Sequence, residues 1–120
     1  MQTKLLINGQ LVAGEGASQA VLNPSRGVAL LHINEASHAQ VDAAVNAAAA
    51  AFDNWSQLPV KERAMLLLRL ADKIEANAEE LAKLESDNCG KPFGLALNDE
   101  IPAIADVFRF FAGASRCLQG

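Results

Sequence analysis

The chain has 120 residues, which is less than one average domain and excludes a complete multidomain enzyme. Apolar residues make up 51% of it before its 8 glycines are counted, which exceeds the usual share of about 45–50% with glycine included. Its formal charge of −4 comes without a basic stripe, which makes nucleic acid and anionic membranes poor partners. We therefore expect a fragment of a larger protein, with surface meant for other protein.

The first third of the chain predicts two β-hairpins, over residues 1–36. Residues 5–7 and 10–12 flank an Asn-Gly dipeptide, which accepts the positive φ angles of a type I′ turn. A second pair of apolar runs flanks Pro24 and Gly27, which suit a tight turn.

From Ser37 onward the apolar period changes from two to about 3.6, which predicts helices over residues 37–120. Ser37 and Gln40 form a capping-box pattern that opens a first helix over residues 38–56. The apolar side chains of that helix fall on one face: Val41, Ala44, Val45, Ala48, Phe52 and Trp55.

Two further helices follow. Pro59 suits the first turn of the second helix, because proline is tolerated where no intrahelical N–H bond is needed. Asn77 and Glu80 repeat the capping-box pattern before the third helix, and Gly90 supplies its stop.

The last predicted helix carries an acidic pair near its start. Asn98 or Asp99 is positioned to cap it, Pro102 lies in its first turn, and no end is evident before Gly120. For Asp99 and Glu100, the residues alone favour helix capping and complementarity to the helix dipole. The functional alternative is recognition of a cationic group at the mouth of an apolar channel.

Two patterns that could bind a cofactor or a metal are incomplete. Gly14 and Gly16 follow a strand, but Gln19 stands where a nucleotide-binding fingerprint needs its third glycine and no helix opens there. We interpret this segment as a loop. His32 and His38 have no cysteine or carboxylate at metal-ligand spacing and are interpreted as structural or solvated.

The two cysteines indicate a reducing compartment. They have neither zinc-site spacing nor the density of a secreted scaffold. Lys91 is close enough to Cys89 to favour its thiolate, yet a helix C-terminus opposes that charge and no partner base is evident, so a structural role is expected there and at Cys117. Because no signal-peptide core or membrane span is present, we expect a cytoplasmic protein.

Taken in order, several segments resemble the N-terminal part of NAD(P)-dependent aldehyde dehydrogenases. They are residues 5–9, Asn23-Pro24 with Gly27, residues 41–45 with Phe52 and Trp55, Arg63, Glu85, residues 90–92 and residues 110–113. Residues 88–92 and 98–113 are most similar to bacterial γ-aminobutyraldehyde dehydrogenases, which act in putrescine breakdown. The resemblance implies an α/β, aldehyde dehydrogenase-like fold. This piece would supply two hairpins and about four helices, without the central Rossmann-like sheet.

The resemblance also implies a reaction. A cysteine thiolate attacks the aldehyde, hydride passes to the nicotinamide of NAD, with NADP not excluded, and a glutamate-activated water releases the acid. In the family those catalytic and cofactor-binding groups lie downstream of this sequence, so none is expected within it. We expect the parent enzyme to be a dimer or tetramer and the isolated 120-residue chain to be inactive.

Two sets of site residues follow from the resemblance. Asp99, Glu100 and Ala103 would face or flank the substrate tunnel, with Glu100 at the place where aminoaldehyde-oxidising relatives carry an acid. Many relatives hold a monovalent cation through a backbone carbonyl and an aspartate, whose positions here are Leu22 and Asn88. Because Asn88 is an amide where relatives have a carboxylate, the cation site is weakly supported.

Three functions remain open at this point. The leading one is NAD-dependent oxidation of a small ω-aminoaldehyde such as 4-aminobutanal by the parent enzyme. The second keeps the fold and changes the substrate to betaine aldehyde or an uncharged aliphatic aldehyde. The third is a noncatalytic helical module that docks on a partner through its apolar excess.

Overall fold

The computed structural model describes residues 1–117, and the chain divides into two compact units, Met1–Gln57 and Leu58–Gly120. The first unit contains β1 (Leu5–Ile7), β2 (Gln10–Val12), β3 (Ser18–Asn23), β4 (Val28–Asn34) and α1 (His38–Gln57). The second contains α2 (Val60–Ala76), α3 (Ala78–Cys89), α4 (Phe93–Leu95), a π-helical turn (Ala96–Glu100) and α5 (Ile101–Ala114). The predicted two hairpins and about four helices are therefore confirmed. The first unit includes α1, because that helix packs with the first hairpin.

Both predicted hairpins are present as two-stranded antiparallel sheets. In the first, Ile7 pairs with Gln10 across Asn8 and Gly9, whose φ angles of 49° and 74° fit the predicted type I′ turn. In the second, Gly27 has a φ of 68°, and the backbone N–H of Gly27 donates to the carbonyl of Asn23 at 2.8 Å.

Asn23 organises the second turn through its side chain. It is 2% exposed. Its Oδ1 accepts hydrogen bonds from the backbone N–H of Ser25 at 3.0 Å, the Ser25 hydroxyl at 2.6 Å and the backbone N–H of Arg26 at 3.1 Å. An asparagine that bonds to the backbone two residues ahead mimics a turn, so this side chain stabilises the turn between β3 and β4.

Helix α1 begins with the predicted capping box. The hydroxyl of Ser37 accepts from the backbone N–H of Gln40 at 3.3 Å, and Oε1 of Gln40 accepts from the backbone N–H of Ser37 at 3.1 Å. Gln40 also reaches the loop after β2, where Nε2 donates to the carbonyl of Ala13 at 2.8 Å and Oε1 accepts from the N–H of Glu15 at 3.0 Å. One side chain therefore caps the helix and holds the loop.

The glycines of that loop allow two backbone segments to approach closely. A Cβ at Gly14 would lie 2.2 Å from the carbonyl oxygen of Asn34, and one at Gly16 would lie 2.9 Å from that of Glu35. The N–H of Gly16 donates to the same Glu35 carbonyl at 2.8 Å. The interpretation of this segment as a loop is confirmed, and its glycines face backbone oxygen atoms.

The second unit is built around small side chains. Among the described residues, the buried apolar positions are Ala64, Ala71, Ala82, Ala96, Ile101, Ala105 and Ala112. Ala82, Ala96 and Ile101 form its core cluster, against which the partly buried Ile74 and Leu81 pack. Alanine favours helix and lets neighbouring helix backbones approach, which explains this composition.

The predicted capping box before the third helix is wrong. Asn77 is the single residue between α2 and α3, and it makes no side-chain cap bond to α3. Its Nδ2 donates backwards to the carbonyl of Lys73 at 2.7 Å, because the same residue also closes α2. Pro59 likewise lies just before α2 and not inside its first turn, whereas the predicted stop at Gly90 is confirmed by a left-handed φ of 77°.

The predicted start and end of the last helix are also wrong. Neither Asn98 nor Asp99 caps it, because the helical path begins at Phe93 and continues through the π-helical turn into α5. The N–H of Ile101 donates to the carbonyl of Ala96, one residue further back than in an α-helix. This wider turn precedes Pro102, which has no N–H to donate.

Helix α5 ends at Ala114. The hydroxyl of Ser115 donates to the carbonyl of Ala112 at 2.9 Å there. The prediction that the helix runs on toward Gly120 is therefore wrong over residues 115–117, and Gly120 itself lies outside the described residues.

Large apolar side chains stand on the surface of both units. Val45 and Phe52 of α1 are 63% and 61% exposed, and Phe110 and Phe111 of α5 are 66% and 57% exposed. Within residues 1–117 no large side chain is fully buried. The helices are also too short or too polar to cross a membrane over this part of the chain. These exposed faces agree with the expectation of surface meant for other protein.

Candidate functional site

The predicted tunnel residues lie in and just after the π-helical turn. Asp99 and Glu100 are its last two residues, and Ala103 is in the first turn of α5. Asp99 and Ala103 are exposed, and Glu100 is partly buried. The three residues therefore lie on neighbouring turns, and their contact with a substrate tunnel stays a prediction.

Glu100 belongs to a cluster of three charged residues that sequence reasoning missed. The Lys91 Nζ donates to Oε2 of Glu100 at 2.5 Å and to Oε1 of Glu85 at 2.9 Å. Gly90 makes this possible, because its left-handed conformation turns the chain sharply after α3 and brings Lys91 back beside Glu85. We call these residues, Glu85, Lys91 and Glu100, the lysine cluster.

Hydrogen bonds within the lysine cluster shift two pKa values. The carboxylates of Glu100 and then Glu85 raise the pKa of Lys91 well above its ordinary value. The bonds from Lys91 and then from the Cys89 thiol lower the pKa of Glu85. Lys91 and Glu85 therefore each stabilise the charged form of the other, and the ammonium of Lys91 hydrogen-bonds to two carboxylates.

Cys89 is oriented by the end of its own helix. Its exposed thiol donates to the carbonyl of Glu85 at 3.1 Å, with Oε1 of the same residue 3.5 Å away. Lys91 bonds to carboxylates and not to this sulfur. The recorded contacts of this thiol are therefore both to Glu85, and the structural interpretation of Cys89 stays a prediction.

A second ionic cluster joins α2 to α5. The guanidinium of Arg109 donates to both carboxylate oxygens of Glu75, each at 2.6 Å, and to Oδ1 of Asp72 at 3.1 Å. These bonds raise the pKa of Arg109 and lower that of Glu75. Arg109 is the only basic residue in α5, and that isolation within an apolar helix is the signal that could have identified it. We call these residues the arginine cluster.

The two predicted cation ligands lie in different units. Leu22 is in β3, where it pairs with Ala29, and Asn88 is exposed near the end of α3. Over residues 1–117, no three His, Cys, Asp or Glu side chains are placed together to hold a metal ion. The predicted ligands are a backbone carbonyl and a side-chain amide, which are not among those side-chain types. The monovalent cation site therefore stays a prediction.

Similarity to known proteins identifies the class. A family model described as the aldehyde dehydrogenase family matches residues 11–120. The mitochondrial aldehyde dehydrogenase family 2 member B4 of Arabidopsis thaliana is 40% identical over 98% of this chain, and the mitochondrial benzaldehyde dehydrogenase of Antirrhinum majus is 38% identical over 98%. The chain belongs to the aldehyde dehydrogenase family.

Solved structures agree with this assignment. The NAD⁺ complex of an aldehyde dehydrogenase from Bacillus cereus superposes with a TM-score of 0.93 at 38% identity, over 100% of this chain and 25% of that one. The chain spans 22% of the length of each of the two curated relatives. The family and the N-terminal fold predicted from the sequence are thereby confirmed.

Proposed function

We propose that this chain is the N-terminal portion of an NAD-dependent aldehyde dehydrogenase that oxidises a small ω-aminoaldehyde, of the 4-aminobutanal type, to its carboxylic acid. Membership of the family supports aldehyde oxidation, and a relative solved with NAD⁺ supports the cofactor. A role in putrescine or polyamine breakdown follows from that substrate class. The observation that carries the choice of substrate is the adjacent carboxylate pair, Asp99 and Glu100, in the π-helical turn just before α5.

The two carboxylates differ in how freely they can meet a cation. Glu100 already bonds to Lys91, and its side chain is 38% exposed. Asp99 is exposed, and no ion pair or side-chain hydrogen bond is formed by it within residues 1–117. Asp99 is therefore the more available partner for a substrate ammonium, and Glu100 contributes a charge that it shares with Lys91.

The Gly14–Gly16 loop does not have the form of a cofactor-phosphate site. The Gly14–Gly16 loop faces the carbonyl oxygens of Asn34 and Glu35, and a third strand follows it where a pyrophosphate site needs a helix N-terminus. When bound, NAD supplies the hydride acceptor. Asp99, Glu100 and Ala103 contribute the shape and the negative charge of the approach to the reacting centre.

A neutral or quaternary aldehyde is the second candidate substrate. The Lys91–Glu100 ion pair favours the neutral one of these two, because a neutralised carboxylate attracts any cationic substrate, a quaternary one included, less strongly. The relatives illustrate such variety, since one is named for benzaldehyde. A noncatalytic docking module is the candidate of another class, and the exposed apolar faces of α1 and α5 favour it.

The substrate is tested in the full-length protein by following NADH formation. We expect 4-aminobutanal to be preferred over butanal in kcat/KM. Asp99→Asn and Glu100→Gln should lower kcat/KM for 4-aminobutanal more than for butanal, by up to about tenfold for a charge-assisted contact. Asp106→Asn, at an exposed acid about two turns further along the helical path, is the matched control. Equal losses for both aldehydes would favour the neutral substrate.

The isolated 120-residue chain provides a separate test. We expect it to produce no NADH from 4-aminobutanal, because the family's catalytic and phosphate-binding groups lie outside this sequence. Measurable NADH formation by the isolated chain would contradict the expectation that those groups lie outside it. We also propose a cytoplasmic homo-oligomer, a dimer or tetramer, which light scattering of the full-length protein and fractionation would check.

A further inference from the structure

The lysine cluster places an ammonium group against a residue proposed to meet the substrate. The Lys91 Nζ lies 2.5 Å from Glu100 and 2.9 Å from Glu85, while its side chain remains 26% exposed. Chemically, this ammonium is a primary amine on a flexible alkyl chain. The same description fits an ω-aminoaldehyde, so the side chain and the substrate present equivalent groups to Glu100.

We propose that Lys91 is a specificity-determining residue that limits the preference for cationic aldehydes, an inference that rests on the proposed function. Its ammonium occupies Glu100 and offsets part of the negative charge beside Asp99. Two carboxylates and one ammonium leave the lysine cluster with one negative charge. The approach to α5 therefore attracts cations, but less strongly than two unpaired carboxylates would.

The position of Lys91 distinguishes it from an ordinary surface lysine. Lys83 pairs with Asp87 one turn along α3, and its side chain is 72% exposed. Lys91 instead lies after α3 and links Glu85 of that helix, six residues before it, to Glu100 of the π-helical turn, nine residues after it. A helical i,i+4 pair contributes little and acts only within its helix. Lys91 changes the charge presented by another element.

Removal of the positive charge should strengthen the preference for the amine. In full-length Lys91→Met protein, the methionine keeps an unbranched apolar stem, and Glu100 loses its counter-ion. We expect the ratio of kcat/KM for 4-aminobutanal to that for butanal to rise about three- to tenfold, because partly exposed charges are screened. Lys91→Arg and Lys83→Met are matched controls that should keep the wild-type ratio.

A second variant should act in the opposite direction. Glu85→Gln removes the carboxylate that shares Lys91, so the ammonium then neutralises Glu100 alone and the ratio should fall. A purely structural role predicts no such reversal of sign. In the Glu100→Gln background, Lys91→Met should raise the ratio less than it does in the wild type.

Several outcomes would overturn the role of Lys91. One is a kcat/KM ratio that stays at the wild-type value in both Lys91→Met and Glu85→Gln. Another is a change of that ratio in the same direction in the two variants. The third is a Lys91→Met effect that is as large in the Glu100→Gln background as in the wild type. Should Lys91→Met protein fail to fold, the fall expected for Glu85→Gln decides the question by itself. A wild-type enzyme that oxidises neither aldehyde would contradict the proposed function itself. An active wild-type enzyme with any of the three outcomes above would contradict only the role of Lys91.

Discussion

In the first unit, the loop after β2 is held by backbone contacts and by Gln40, which is only 9% exposed, whereas in the second unit helices are joined by charged side chains that face water. An unpaired buried polar group costs about 1–3 kcal/mol, while an exposed ion pair contributes about 0–1 kcal/mol. The uncharged contacts of the first unit should therefore matter more for folding. The ionic contacts of the second unit are better suited to setting the charge of its surface.

The largest effect is expected at Gly14. Gly14→Ala would place a Cβ 2.2 Å from the carbonyl oxygen of Asn34, and a backbone atom cannot rotate away as a side chain can. We expect a loss of about 3 kcal/mol in the free energy of unfolding, measured by urea denaturation of the full-length protein. Gly113→Ala is the matched control, because no atom lies within 4 Å of its Cβ position. Equal stability of the two variants would contradict the close approach.

Gln40→Ala should have the next largest effect. It removes the acceptor for the N–H groups of Ser37 and Glu15 and the donor to Ala13, so the expected loss is about 2–3 kcal/mol in the same measurement. Gln40→Glu keeps the acceptor and loses the donor, so it should destabilise less. Gln57→Ala, at the exposed end of α1, should be close to neutral. A loss for Gln57→Ala as large as that for Gln40→Ala would contradict the importance assigned to the hydrogen bonds of Gln40.

The smallest effect is expected in the arginine cluster, and it depends on pH. Because Arg109 lowers the folded-state pKa of Glu75 below its ordinary 4.5, this pair stabilises the protein above that pH. The contribution is lost as the pH falls through the lowered value. Thermal unfolding should show Glu75→Gln to be less stable at pH 7, with the difference shrinking toward pH 3. A difference that grew on acidification would contradict the assignment.

The contrast between the units also shows where sequence reasoning succeeds. The type I′ turn at Asn8-Gly9, the Ser37–Gln40 capping box and the stop at Gly90 were predicted correctly, because each depends on the φ preferences or side-chain reach of residues within one turn. The capping boxes at Ser37 and Asn77 look alike in sequence. Only the first forms, since Asn77 must also close the preceding helix.

The lysine cluster shows why part of the candidate site was not predictable. The acidic pair Asp99 and Glu100 is visible in the sequence, and the resemblance to the family predicts that it lies at the substrate tunnel. Whether Glu100 is free depends on Lys91, nine residues away on the other side of a turn and a short helix. Sequence spacing does not fix that distance, because Gly90 and the π-helical turn together determine it.

By itself, the sequence determined the order of strands and helices, most of their local start and stop signals and the family, because these depend on short-range stereochemistry and on a long ordered set of matching residues. The tertiary structure decided which of two similar capping-box sequences forms a capping box. It also decided which glycines face a neighbouring backbone and which carboxylates already pair with a cation. Those outcomes depend on distances between segments remote in sequence, and such distances are set only when the elements pack.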